Sequence, residues 1–136
     1  MIYTHTMLNF NSVMLNTGNV KEMADFYEKV FDKKPDMQDG GYHGWKVGSC
    51  FFTVAEHSEV SGETKEKDRV LFNFETKDVK TEYERISKID GVKIVKKLYG
   101  MTEKGEEIPA DEAQMMIATF ADPDGNLFQL MTPWEG

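Results

Sequence analysis

The stretch Thr17-Gly18-Asn19-Val20-Lys21-Glu22-Met23-Ala24-Asp25-Phe26-Tyr27-Glu28-Lys29-Val30-Phe31 decides the fold, because it reads as a capped amphipathic helix and because it recurs. Asn19 is a good N-cap, with a side-chain oxygen able to accept from an N–H of the first turn. Glu22 stands three residues later, where a capping box needs a carboxylate. Val20, Met23, Ala24, Tyr27 and Val30 then fall on one helical face. Upstream, Phe10 to Thr17 alternates as a strand, with Val13 and Leu15 on one side and Ser12 and Met14 on the other.

Moving 59 residues along the chain, the distance from Thr17 to Thr76, brings the pattern back. Thr17, Val20, Lys21 and Lys29 match Thr76, Val79, Lys80 and Lys88, and Asn19 becomes Asp78, another N-cap. Val79, Tyr83, Ile86 and Ile89 make the second apolar face, with Gly91 where a helix end favours glycine. Val13 and Leu15 fall on Phe72 and Phe74, so strand parity repeats too. Further strands are expected near Asp36 and over Tyr42 to Val47, Cys50 to Ala55, Val92 to Leu98, Met115 to Ala121 and Leu127 to Thr132. Each half therefore reads as strand, helix and three strands. The fold class is α+β: one domain over 1–136, with a first module at about 8–57, a polar connector at 58–68 and a second module at about 69–133. Gly100 to Gln114 reads as a long acidic loop, either a lid or plain surface.

Composition excludes several function classes. The 24 acids outnumber the 16 bases and give a net charge of −8, which argues against a nucleic-acid partner. No apolar run approaches the roughly 20 residues of a membrane span. The opening Met1 to Thr6 lacks the pattern of a signal peptide. The single cysteine, Cys50, rules out an internal disulfide and suits the cytoplasm.

Two βαβββ halves, the Phe26-Tyr27 pair and the run Phe120-Ala121-Asp122-Pro123-Asp124-Gly125-Asn126-Leu127-Phe128-Gln129-Leu130 resemble the vicinal oxygen chelate superfamily. This group takes in glyoxalases, bleomycin-resistance proteins, fosfomycin-resistance enzymes and extradiol dioxygenases. The resemblance covers nearly the whole chain and implies a mixed sheet curled around a shared cavity, helices outside, and a homodimer. It also implies a divalent metal, held by His or Gln on the first strand of each half and Glu on the last. Carried over, the first-strand positions are Ser12 and Leu71, and the last-strand Glu is Gln129. Aligning Gly48 with Gly125 puts Phe52 opposite Gln129, with Glu56 further along. Leucine and phenylalanine have no donor atom, and serine and glutamine are weak substitutes for imidazole and carboxylate. The usual quartet is lost at these positions, so no cofactor is expected unless a metal site is rearranged.

Strand parity sends Ser12, Met14, Leu71, Asn73 and Gln129 toward the cavity, and half-to-half analogy adds Trp45 and Phe52. Such a lining suits a small organic ligand, although each of these side chains also has a purely space-filling reading. The leading expectation is a binding protein for an apolar or aromatic compound. The alternative is a glyoxalase-type lyase, isomerase or dioxygenase with a rearranged site, for which Glu56 and Gln129 are the candidate catalytic residues. A third reading is a regulatory subunit with a vestigial cavity. His5, His43 and His57 share no local motif, and Cys50 has no neighbouring base to activate it.

Overall fold

The structure, a computed structural model, describes residues 7–133. His5 and the rest of the segment before Met7 lie outside the described residues.

The first module runs β1 (Ser12–Thr17), α1 (Val20–Phe31), β2 (Met37–Asp39), β3 (Tyr42–Val47) and β4 (Cys50–Glu56). The second runs β5 (Leu71–Glu75), α2 (Val79–Ile86), β6 (Lys93–Met101), β7 (Glu107–Ile108), β8 (Met115–Ala121) and β9 (Leu127–Met131). Both helices begin at the expected caps. Asn19 Oδ1 accepts from Glu22 N at 3.4 Å, and Asp78 Oδ1 accepts from Thr81 N at 3.2 Å. The capping box is rearranged, because Glu22 accepts from the Asn19 side chain. The Asn19 backbone N–H donates instead to Thr17 Oγ1 at 3.0 Å, and Asp78 repeats that bond with Thr76.

The strands form two mixed sheets that do not join, ordered β1-β4-β3-β2 and β5-β9-β8-β6-β7. In each, the first strand runs parallel to the last and the other pairs are antiparallel. The two orders repeat one another, with β7 as an addition. That addition corrects the reading of Gly100 to Gln114 as an uninterrupted loop. Gly100 and Met101 extend β6 and pair with β7, and a short 3-10 helix follows at Ala110–Glu112. Lys96 pairs with Glu107 across this hairpin, and Lys80 on α2 lies 3.8 Å from Asp111. Glu107 and Asp111 thus meet partners on neighbouring elements.

One hydrophobic core serves both modules. Met23, Phe26, Tyr27 and Val30 of α1 share it with Val79 and Ile86 of α2 and with Trp45, Phe52, Phe120 and Phe128 from the sheets. Arg85 on α2 ties the helices together, donating to the carbonyls of Lys29 and Val30 at the end of α1, each at 2.7 Å. These carbonyls have no partner inside the helix, and a guanidinium suits the negative end of its dipole. The connector carries no helix or strand. It crosses Gly18 so closely that a Cβ there would sit 2.4 Å from Val60 O.

Candidate ligand-binding site

The inner edges of the two sheets, β1 and β5, face each other across an open cleft of about 1030 Å³. Its walls are Val13, Leu15, Phe52, Phe72 and Phe74, and its mouth includes Phe10, Val70 and Arg69. Four of the expected cavity residues line it: Met14, Phe52, Leu71 and Asn73. Alternation along β1 and β5 splits these strands between a core face and a helix-free face, as the sequence required.

Ser12 and Gln129 lie on the helix-free faces but outside the cleft lining. Trp45 is fully buried in the core on the other side of its sheet, and its indole N–H donates to Lys33 O at 3.0 Å. Phe52 pairs in register with Trp45 and shares that core face, its ring 4.8 Å from Tyr27 and 5.8 Å from Phe72.

The half-to-half register explains both placements. Met14 pairs with Thr53, and its repeat partner Asn73 pairs with Gln129. The counterpart of Gln129 is therefore Thr53, one residue from Phe52, and a one-residue slip moves a side chain to the opposite face. The glycines misled the alignment because they sit in turns of different length. Val47 pairs with Cys50 across Gly48-Ser49, whereas Ala121 pairs with Leu127 across the five residues Asp122 to Asn126. Thr53 is buried and donates to Val13 O at 3.2 Å. Sequence reasoning missed it and Thr119, which accepts from Gln129 Nε2 at 3.1 Å. The signal was there: each is a hydroxyl inside an otherwise apolar strand.

The other candidates are dispersed. Glu56 is exposed at the end of β4, His57 Nδ1 accepts from Glu59 N at 3.1 Å, and His43 pairs with Val54 across β3 and β4. Cys50 lines the cleft. Among the described residues, no three His, Cys, Asp or Glu side chains gather as a metal group would require. No helix among them is long and apolar enough to cross a membrane.

The Asp122-to-Asn126 turn is the most heavily bonded feature near the cleft. Asp122 is buried and accepts the Tyr27 hydroxyl at 2.6 Å, while its Oδ1 accepts from the backbone N–H groups of Asp124 and Asn126, each at 2.9 Å. Asp124 in turn accepts the Thr17 hydroxyl at 2.6 Å. Gly125 takes the left-handed φ of +84° that the turn needs, under the Lys67 side chain of the connector. Burial, reinforced by the charge of Asp122, pushes the Tyr27 phenol well above its usual range. Burial also raises Asp122, against the lowering effect of its hydrogen bonds from Tyr27 and Asn126.

Repeated βαβββ modules, parallel first-to-last strand pairing and an apolar cleft between the sheets define a glyoxalase-like α+β protein. The chain belongs to the Glyoxalase/Bleomycin resistance protein/Dioxygenase superfamily, whose family model matches residues 9–130. It is similar in structure to a glyoxalase-related enzyme from Fulvimarina pelagi, with 14% identity over 93% of this chain and 89% of that one and a TM-score of 0.70. It is also similar to a glyoxalase/bleomycin resistance protein/dioxygenase family enzyme from Burkholderia phytofirmans PsJN, at 20% identity over 92% and 98% of the two chains and a TM-score of 0.66. At these identities the likeness is one of fold. No curated protein matches the chain.

Proposed function

We propose that this protein binds a small, largely apolar organic molecule in the cleft between β1 and β5, acting in the cytoplasm as a homodimer without a resident catalytic metal. The observation that carries the reading is the cleft itself, sized for a drug-like molecule and walled by aliphatic and aromatic side chains. The donor set supports the part about metal. Ser12, Thr53, Leu71 and Gln129 occupy the first and last strands, and they offer no carboxylate, imidazole or thiolate. They do not fit a divalent cation.

Titration with the neutral fluorophore N-phenyl-1-naphthylamine tests the binding. Saturable one-site enhancement is expected, weakened about tenfold by Leu71→Asp at the mouth, since a carboxylate that the bound probe strips of water there costs more than about 1 kcal/mol. Absence of saturable binding would overturn the reading. Protein purified without chelators should carry far less than one equivalent of Fe, Mn, Ni or Zn. Near-stoichiometric metal that disappears in Gln129→Leu would favour the glyoxalase-type enzyme instead.

A further inference from the structure

The helix-free face of the second sheet is built in three rows. Thr119, Gln129 and Asn73 stand side by side on β8, β9 and β5. On one side of that polar row run Ala121, Leu127 and Leu71, and on the other Ile117, Met131 and Glu75. A strip of neutral hydrogen-bonding groups is thus set between two mainly apolar rows, and it ends in the cleft at Asn73.

The hydrogen bonds already made decide what the strip can offer. Gln129 donates through Nε2 to Thr119, and among the described residues its carbonyl Oε1 has no donor. Among the described residues the Asn73 carboxamide has no hydrogen-bond partner, so both its donor and its acceptor are available. Strand neighbours lie about 4.8 Å apart, so one small planar group can reach both side chains. We propose that this pair reads a neutral amide, lactam or imide on the part of the bound molecule that extends from the cleft past Asn73 onto the helix-free face, its N–H donating to Gln129 Oε1 and its C=O accepting from Asn73 Nδ2.

Charged alternatives fit less well. A carboxylate would set its lone pairs against Gln129 Oε1 and lose water beside Leu127 and Leu71 without a facing cation. Lys96, at the far end of the polar row, is held by Glu107. A cation could approach Glu75 but would leave the Asn73 amide N–H groups without an acceptor.

The proposal rests on the binding reading above, and the experiment separates the two. The full chain is loaded with N-phenyl-1-naphthylamine and challenged with 2-naphthamide, 2-acetonaphthone and 2-naphthoate, three probes of matched shape. The amide should displace the fluorophore at concentrations about tenfold below the ketone and the carboxylate, the ratio that about 1.4 kcal/mol produces. In Asn73→Leu the ratio of amide to ketone should fall to about one, and Asn73→Asp, isosteric but lacking the donor, should do the same. Equal competition by amide and ketone in the wild type, or tighter binding of the naphthoate, overturns the assignment while leaving the cleft in place. Failure of the fluorophore to bind removes the cleft reading and the assignment with it.

Discussion

Tyr27 and Asp122 form a buried pair whose energetics are set by what surrounds it. The phenol donates to a carboxylate that already accepts several N–H groups, so removing the donor leaves a desolvated charge less well satisfied. Tyr27→Phe should lower stability by about 1.5–3 kcal/mol, the usual range for a hydrogen bond to a charged group, read from urea denaturation. The pH dependence follows from the raised carboxyl of Asp122. The folded chain holds that proton to higher pH than the unfolded chain does. Between the ordinary carboxylate range and the raised value, the folded state therefore binds more protons, and stability falls as pH rises. Wild type should gain stability relative to Asp122→Asn as pH is lowered through that window. A stability difference that stays constant with pH would remove the carboxyl from this role.

Among the elements, helices were more legible than strands. Asn19 and Asp78 announced both N-termini through residue type alone, and the apolar spacing of Met23, Tyr27, Val79 and Ile86 gave the buried faces. β1 and β5 alternate cleanly, so Met14, Leu71 and Asn73 could be placed at the cavity. The run Cys-Phe-Phe-Thr-Val-Ala in β4 is apolar on both faces, because successive residues Thr53, Val54 and Ala55 are all buried, and so gave no parity signal. The slip that set Phe52 opposite Gln129 followed from that, as did the loss of Thr53. β2 and β7 are too short for any periodicity and exist through their pairing with β3 and β6. Arg85 left no sequence signal either, because its partners are backbone carbonyls 55 and 56 residues away. Arg85→Ala should destabilise the chain by about 1–2 kcal/mol through two lost carbonyl bonds. Arg85→Lys should restore less than half of this in thermal unfolding, since a lone ammonium lacks the planar fork that spans both acceptors.

The whole molecule manages its sheet edges unevenly. The outer strands β2 and β7 are three and two residues long and carry Asp39 and Glu107. Short, charged edges resist pairing with another chain. The inner strands lack that protection: β1 has neither charge nor proline, and β5 has one glutamate at its end. Phe10, Met14, Val70 and Leu71 are exposed beside them. Our reading seats a second copy on this exposed rim, over the mouth of the ligand-binding cleft. Sedimentation equilibrium should show a dimer at micromolar concentration, and Met14→Lys should yield a monomer with unchanged far-UV circular dichroism. A wild-type monomer across that range would refute the assembly.

The turn at Asp122 also bears on the order in which the protein can be completed during synthesis. Tyr27 lies 95 residues before its acceptor, and Thr17 lies 107 before Asp124. While the chain is still emerging from the ribosome, α1 and β1 can form, yet two of their hydroxyl groups have only water as acceptor until the second module is nearly finished. Closing the core that both halves share is therefore a late event.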